Sequence, residues 1–237
     1  MHTFPVTQVD NFFDDPDKIR NYALSLDYHT DPGGNWPGER SECLSGINYR
    51  FYSETAMKIL RVFYPDLTLV GVGGNHFVKY SAQATFQKVS KKHFTNRTAS
   101  KEGWIHSDYP VTMTAILYLT PGGSLDNGTS IYKLKDDIVT YDSQYNIVKK
   151  DSYTNNNITD DIYKQGKNNN NSQFIETARV GGSYNSLVCF DSAQFHGARN
   201  FETESDEDRL TMVWFFHSIM TEVEFPVMRS RREVIKV

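Results

Sequence analysis

Residues 104–123 have the sequence WIHSDYPVTMTAILYLTPGG, and their pattern indicates the fold class. Its second half, VTMTAILYLT, is a run of apolar and β-branched residues that ends in a proline and two glycines, and such a run predicts a β-strand. Similar runs lie on both sides of it along the chain. They are NHFVKYSAQATFQKV, GTSIYKL, SLVCF and RLTMVWFFHSI, and Gly, Asn, Asp and Pro residues separate them.

The connections between these predicted strands favour antiparallel pairing. No long helical pattern lies between them, so the β-α-β connections of a parallel sheet are not expected. Residues 68–220 therefore predict an antiparallel sandwich or jelly roll. The protein as a whole is expected to be mainly β, with helices in its N-terminal part.

Two helices are predicted within residues 1–67. Asp14, Asp15 and Pro16 have the pattern of a cap and first turn for the amphipathic segment DKIRNYALSL. The segment SETAMKILRVFYP repeats apolar residues at helical spacing and ends at a proline. We expect a single domain over residues 1–237, made of this helical part and the β core.

A polar segment interrupts the predicted strands at about residues 141–172. It is rich in Asn, Asp, Lys and Tyr, and it contains the asparagine runs Asn155–Asn157 and Asn168–Asn171. Because this composition offers few groups to bury, we expect a long insertion between two strands that lies on the surface in solvent. A lid over a substrate is the alternative interpretation.

Composition and charge exclude several classes of protein. Of the 237 residues, 38% are hydrophobic and 14% are aromatic, which is enough for a core and excludes a disordered or fibrous chain. The net charge is −4, so no excess of positive charge supports nucleic acid as a partner. No membrane span and no secretion signal are recognised, so we expect a cytoplasmic protein whose two cysteines are reduced.

Three side chains have the chemistry of a metal site. His106 and Asp108 are two residues apart, and on an extended segment such residues project from the same face. His196 follows the strand SLVCF after a short polar turn and can supply a third ligand from another strand. Two histidines and one carboxylate leave three positions of an octahedron open, which suits non-heme iron(II) with an organic chelate and dioxygen.

An arginine further along the chain predicts an anion site. Arg209 and Thr211 share one face of the strand RLTMVWFFHSI. A guanidinium group beside a hydroxyl can hold a carboxylate inside a barrel, and a buried arginine requires an anion.

The order of these motifs resembles the iron(II)- and 2-oxoglutarate-dependent oxygenases, particularly the branch similar to prolyl hydroxylases. That family has His-x-Asp, a strand ending in Tyr-Leu, a Gly-Thr turn, a Phe-Asp turn before a second His, and Arg-x-Ser/Thr on an aromatic strand. The corresponding pieces here are His106-Ser107-Asp108, ILYLTPGG, NGTSIY, VCFDSAQFH and Arg209-Leu210-Thr211. All five occur in the family's order, over roughly residues 76–220.

The resemblance implies a double-stranded β-helix, which is a jelly roll, and a hydroxylase activity. The substrate would be a small molecule or a peptidyl group, dioxygen the co-substrate, and succinate and carbon dioxide the co-products. The site residues that it implies are His106, Asp108 and His196 for iron(II), Arg209 for the distal carboxylate of 2-oxoglutarate, and Thr211 and Tyr118 as assisting groups.

Two features of the chain depart from the family pattern. The asparagine-rich insertion is unusually long, and the gap between His196 and Arg209 is a few residues longer than usual, filled by the acidic run ETESDED. The longer gap leaves Arg199 as a competitor for the 2-oxoglutarate carboxylate. We prefer Arg209, because Arg199 falls at a predicted turn where its side chain is expected to face water.

Two other interpretations compete with the oxygenase. A cupin-type jelly roll could bind a divalent metal without 2-oxoglutarate, and a structural jelly roll would carry the histidines without any metal. Arg209 separates the first from the oxygenase, since a cupin does not need a carboxylate-binding arginine inside the barrel. Trp104 and Tyr109, which flank the triplet at His106, are either the mouth of a substrate pocket or ordinary core aromatics.

Overall fold

The computed structural model describes residues 6–30, 34, 36–63, 67–69, 76–90, 102–138, 140–144, 149–151, 158–203 and 207–221. The helices within them include α1 (Pro16–Leu24), α2 (Leu44–Ile47), α3 (Tyr49–Arg61) and α4 (Asp160–Asn171), and a short 3-10 helix spans Leu125–Asn127. The strands are β1 (Thr7–Val9), β2 (Glu39–Arg40), β3 (Leu67–Leu69), β4 (His76–Val89), β5 (Met113–Tyr118), β6 (Thr129–Leu134), β7 (Phe174–Val180), β8 (Leu187–Asp191), β9 (Phe195–Ala198) and β10 (Arg209–Thr221). The asparagine run at 155–157 and residues 204–206 of the acidic run lie outside the described residues.

Both predicted N-terminal helices are confirmed. Asp15 is the N-cap of α1, where its side chain accepts a hydrogen bond from the Lys18 backbone N–H at 3.0 Å. Helix α3 begins at Tyr49, earlier than its apolar pattern predicts, because the Asn48 side chain accepts from the Phe51 N–H at 3.1 Å and caps the helix there. Among the described residues, no helix is both long and apolar enough to cross a membrane.

The larger sheet carries the main core of the protein. Its strand order is β1-β8-β5-β10-β4-β2, with β3 paired to β4, and its pairs are antiparallel except for β3 with β4. One face of this sheet packs against α1 and α3. Trp214 of β10 stacks on Tyr52 of α3 with ring centroids 5.0 Å apart, which ties the helical part to the sheet.

Strand β10 has two faces with different surroundings. Its even-numbered side chains, Leu210, Met212, Trp214 and Phe216, are buried in the core against the helices. Its odd-numbered side chains, from Arg209 to His217, line a cavity on the other face of the sheet. The alternation follows from the period of two along a strand, and it places Arg209 and Thr211 together on the cavity wall as predicted.

The smaller sheet closes the other side of the cavity. It has the order β7-β6-β9, and it is antiparallel throughout. A second, smaller apolar cluster, which contains Tyr118, Ile131, Val188 and Phe190, joins it to the larger sheet. The mainly β architecture with N-terminal helices is therefore confirmed, and the cavity between the two sheets holds the candidate site residues.

Helix α4 corrects one expectation about the asparagine-rich segment. It lies between β6 and β7, where the sequence predicts no helix, and its buried residues are Tyr163, Gly166, Lys167 and Asn170. The expectation of a solvated surface segment is wrong for this part of the insertion. The reason is that an asparagine amide both donates and accepts hydrogen bonds, so a buried asparagine can satisfy neighbouring backbone groups.

Candidate metal centre and cofactor site

The structure brings His106, Asp108 and His196 together at one end of the cavity. One ligand atom from each of them lies within 4.8 Å of the others. The Asp108 carboxylate is 3.5 Å from His106 Nε2 through one oxygen and 3.2 Å from His196 Nε2 through the other. Two ligands bound at right angles to one ion, each about 2.1 Å from it, lie about 3 Å apart, so these separations fit a shared metal ion.

Backbone pairing fixes the spacing of the three groups. His106 and His196 form an isolated antiparallel bridge in which each N–H donates to the other carbonyl, at 2.9 and 2.8 Å. The Asp108 N–H donates to the Ser192 carbonyl at 2.8 Å. The ligands therefore come from a segment that follows no regular strand and from β9, and main-chain bonds hold these two segments side by side.

Each histidine ring is oriented through its Nδ1 atom. His106 Nδ1 lies 2.9 Å from the Trp104 carbonyl, and His196 Nδ1 lies 3.0 Å from the Gln194 carbonyl. A carbonyl can only accept, so Nδ1 carries the proton in both rings and Nε2 keeps its lone pair. This arrangement leaves both Nε2 atoms available to a metal, and the hydrogen bonds fix the direction in which they point.

The electrostatics of the cluster favour a neutral His106 and an ionised Asp108, the protonation states that metal binding needs. Burial, with smaller contributions from Lys149 and His196, lowers the pKa of His106 to about 4, so this ring is neutral near pH 7. Burial alone would raise the pKa of Asp108, but the two histidines hold it well below its usual range. Asp108 is therefore ionised and both of its oxygens can ligate a cation.

Arg209 lines the same cavity, and no carboxylate among the described residues pairs with it. It is buried, with 5% exposure, and its Nε and Nη2 atoms donate to the Asn127 carbonyl at 3.4 and 3.3 Å. Burial lowers its pKa from the usual value. The Thr211 hydroxyl beside it is buried and makes no hydrogen bond to any residue that the structure describes. A cation and a hydroxyl without good partners fit the carboxylate that the sequence predicts there.

The Tyr118 ring lies beside the Arg209 guanidinium. The Arg209 guanidinium carbon is 5.6 Å from the centroid of the Tyr118 ring, and the Tyr118 hydroxyl is 2.7 Å from Thr129 Oγ1. The ring also packs on Gly181, whose φ is +71°. A Cβ at Gly181 would collide with the Tyr118 ring, so glycine is required there both by the backbone conformation and by the position of the tyrosine.

The structure corrects the reason for setting Arg199 aside. The sequence predicts that its side chain faces water, but in the structure this side chain is only 22% exposed. It donates to Glu176 at 2.8 Å and to Asp126 at 3.1 Å. Two carboxylates already neutralise Arg199, so its charge is used within the protein and Arg209 is the better candidate for an external carboxylate.

Helix α4 supports the segment that carries His106, a role that sequence reasoning missed. The Asn171 side chain accepts from the Ile105 N–H at 3.0 Å and donates to the Gly103 carbonyl at 3.2 Å. The fully buried Asn170 donates to the Ile105 carbonyl at 2.9 Å and accepts from the Tyr141 hydroxyl at 2.9 Å. The side-chain amides of Asn170 and Asn171 therefore form the hydrogen bonds to the backbone of Gly103 and Ile105 that a neighbouring strand would otherwise form.

Replacing Asn170 tests this support. Asn170→Ala removes the hydrogen bonds that Asn170 makes to the Ile105 carbonyl and to the Tyr141 hydroxyl, and loss of a buried hydrogen-bond partner costs about 1–3 kcal/mol. We expect the free energy of unfolding to fall by about 2–3 kcal/mol and metal affinity to fall about tenfold, as for loss of an outer-shell partner. Chemical denaturation and metal titration measure the two effects.

Asn169→Ala is the matched control, because Asn169 is in the same asparagine run and its side chain is exposed. Its effect on unfolding should stay within about 0.5 kcal/mol. Equal effects of the two substitutions would show that the run does not support the metal segment.

The cavity that contains these groups has a volume of about 620 Å³. This volume lies within the range of about 300–1,000 Å³ typical of small-molecule sites. Trp104 is buried and Tyr109 is 79% exposed, and both line the cavity, so Tyr109 lies at its rim. Lys149 and Arg40 also line it, and no motif in the sequence indicated either of them.

Comparison with solved structures identifies the class of fold. HygX from Streptomyces hygroscopicus, crystallised with nickel and 2-oxoglutarate, matches with a TM-score of 0.52 and 12% identity over 90% of this chain and 83% of HygX. Its iron-bound structure matches with a TM-score of 0.50 and 12% identity, over 90% of this chain and 82% of that one. A prolyl hydroxylase from Trichoplax adhaerens has a TM-score of 0.47 and 10% identity, over 89% and 82% of the two chains.

These similarities define the fold as the double-stranded β-helix of the 2-oxoglutarate-Fe(II) oxygenases, as predicted. The chain belongs to a family of unknown function, DUF6445, whose model matches residues 1–216. Among the curated proteins, none matches this sequence.

Proposed function

We propose that this protein is an iron(II)- and 2-oxoglutarate-dependent dioxygenase that hydroxylates a small-molecule or peptidyl substrate, with succinate and carbon dioxide as co-products. One observation carries the proposal: two complementary halves of such a site face the same cavity. Three ligand atoms lie within 4.8 Å of one another, and the buried Arg209 lines that cavity with only a carbonyl as hydrogen-bond acceptor among the described residues.

In this proposal His106 and His196 bind the ion through Nε2, and Asp108 binds it through its carboxylate. Their Nδ1 bonds to backbone carbonyls keep the rings from rotating, so the ligands are held in place before the ion arrives. When bound, iron(II) and 2-oxoglutarate supply the activation of dioxygen and the oxidation of a C–H bond.

The remaining residues bind and shield. Arg209 pairs with the distal carboxylate of 2-oxoglutarate, Thr211 donates its free hydroxyl to the same group, and Tyr118 packs along the guanidinium. The apolar side chains of Ile116 and Val213 lie on the wall between this end and the metal ligands, where they exclude water. No acid or base side chain is needed, so positioning is the protein's contribution.

The cupin-type alternative requires the three metal ligands but not Arg209. A buried guanidinium is costly unless an anion accompanies it, and a carbonyl at 3.3–3.4 Å is weak compensation. A site that bound only a metal would gain nothing from burying the Arg209 guanidinium, which is unfavourable without an anion. The buried arginine therefore favours the 2-oxoglutarate interpretation.

Anaerobic titration with iron(II) and 2-oxoglutarate tests the proposal. The expected result is a weak visible metal-to-ligand charge-transfer band that saturates with one oxo acid per protein. Iron binding without the band would favour the cupin interpretation, and failure to retain iron at neutral pH would favour a structural jelly roll.

Two finer features of the sequence interpretation stay predictions. The prolyl-hydroxylase branch is one, since the match to the prolyl hydroxylase has a TM-score of 0.47. The cytoplasmic location is the other. Substrate profiling of the purified protein tests the first, and fractionation of cells that express it tests the second.

A further inference from the structure

Lys149 is a buried cation in the wall of the cavity. It has no part in the proposed binding of iron(II) or 2-oxoglutarate. Its exposure is 7%. Among the described residues, no hydrogen bond reaches its ammonium group and no carboxylate lies within ion-pair distance of it, since the nearest acidic influence is the longer-range one of Asp108. Burying an ammonium group in this way is unfavourable, so its presence calls for a partner that enters the cavity.

Lys149 lies within electrostatic reach of the metal ligands and of a second cation. Burial lowers the pKa of Lys149 to about 8, Asp108 acts to raise it, and Arg40 acts to lower it. The Arg40 guanidinium lies over the ring of Trp36, 3.7 Å from its centroid, and both residues line the cavity. Stacking on an aromatic face fixes a guanidinium in orientation while its N–H groups stay able to donate.

Among the described residues that line the cavity, none places a carboxylate at ion-pair distance from Lys149. Asp108 is the one carboxylate among the described residues that line it. With the proposed cofactors, the charges of a ferrous ion, Asp108, Arg209 and the 2-oxoglutarate dianion cancel. The positive charge of Lys149 then remains on the part of the wall that the cofactors do not use.

We propose that Lys149 forms a substrate-binding subsite for an oxyanion, so that the substrate is a small molecule bearing a carboxylate or phosphate group. This inference rests on the proposed oxygenase function, which places the cofactors at the Arg209 end. Trp36, Trp104 and Phe215 line the same cavity, and they provide apolar surface for the body of such a substrate.

The subsite favours an anionic small molecule over a neutral peptidyl group. A neutral substrate would exclude water from Lys149 without replacing its interactions, so the ammonium group would stay buried and unpaired. An oxyanion can accept hydrogen bonds from the Lys149 ammonium group, and charge-assisted bonds of this kind are the strong ones. The anchored anion also fixes the distance of the rest of the molecule from the metal ligands.

Binding measurements on cofactor-loaded protein test the subsite. Nickel(II) is used because it keeps the protein from turning over, and 2-oxoglutarate is saturating so that the Arg209 end is occupied. The probes are 3-phenylpropanoate, phenyl phosphate and the neutral 3-phenylpropanamide. Binding is followed by tryptophan fluorescence, since Trp36 and Trp104 line the cavity, and by calorimetry.

We expect at least one of the two anions to bind about tenfold or more tightly than the amide, since a hydrogen bond to a charged group changes affinity about 10- to 100-fold. The tighter anion identifies the group as carboxylate or phosphate. Lys149→Met should remove this preference, and Lys150→Met, at the exposed neighbouring position, should keep it. The thermal midpoint of ligand-free Lys149→Met should equal or exceed that of the wild type, because the substitution removes a buried charge.

Three results would overturn the subsite: equal binding of amide and anions, no binding of either anion, or an unchanged preference in Lys149→Met. Each of them leaves the proposed function standing if nickel and 2-oxoglutarate still bind. If the protein takes up neither nickel nor 2-oxoglutarate, the proposed function itself fails.

Discussion

The substitution Asp108→Ala is expected to abolish retention of iron(II) and, with it, the formation of succinate. Asp108 is the only one of the three ligands that neutralises part of the ion's charge, and its two oxygens face both histidines. Loss of an outer-shell partner costs roughly 10- to 100-fold in metal affinity, so loss of this carboxylate should cost more. Calorimetric titration of the anaerobic protein with iron(II) measures the effect.

The fold should survive this substitution. The Asp108 backbone N–H still donates to the Ser192 carbonyl, and the bridge between His106 and His196 is made by the main chain. His106→Ala should likewise lose iron and keep the fold, because the hydrogen bonds between residues 106 and 196 are made by the main chain. Ser107→Ala, between the two ligands, is the control and should retain iron. Wild-type iron retention or turnover in Asp108→Ala would remove the metal-site assignment.

Arg209→Ala is expected to raise the 2-oxoglutarate concentration needed for half-saturation far more than Arg199→Ala. Removing one partner of a buried charge pair costs about 2–5 kcal/mol, or roughly 30-fold to several thousand-fold in affinity. The Arg209 side chain is buried on the cavity wall, and its only acceptor among the described residues is the Asn127 carbonyl. Calorimetry with 2-oxoglutarate on the nickel-loaded protein measures this directly.

Arg199→Ala is the matched control. It removes partly exposed ion pairs with Glu176 and Asp126, so it should change stability by about 1 kcal/mol or less and leave 2-oxoglutarate affinity within a few-fold of the wild type. Iron binding should be normal in both variants, because neither arginine is near enough to be a ligand. A larger loss of 2-oxoglutarate affinity in Arg199→Ala than in Arg209→Ala would show that the wrong arginine was chosen.

Most of the β core could be predicted from sequence because its strands are long and have distinct faces. Strand β10 alternates cavity and core residues from Arg209 to His217, and β4 and β5 pair with it over long registers. Strand β7, which follows the asparagine-rich segment, was not predicted, and neither were the shorter strands β1, β2, β3 and β9. Runs of two to four residues carry too little pattern, and the tertiary pairing that creates them is not visible in the sequence.

The asparagine-rich helix shows a different limit of sequence reasoning. Asn168 and Asn169 are exposed, whereas Asn170 is buried and bonded to the segment of His106. Identical residues in one run therefore have opposite surroundings, and only the packing of α4 against that segment decides which is which. The composition of the run predicts exposed asparagines on average, and it does not show that Asn170 is buried against the segment of His106.

The candidate site was predicted in part. The spacing of His106 and Asp108, and the shared face of Arg209 and Thr211, follow from strand geometry, and the structure places each pair as expected. Lys149 could not be found in this way. It lies in the polar insertion, where lysines are common, and only its burial against the cavity distinguishes it from Lys150.

The most direct test is anomalous diffraction from a crystal soaked anaerobically with iron(II) and 2-oxoglutarate. We predict one iron peak at coordinating distance from His106 Nε2, His196 Nε2 and the Asp108 carboxylate, with density for the oxo acid extending from it to Arg209. An iron peak elsewhere, or an oxo acid that does not approach Arg209, would contradict the proposed enzyme.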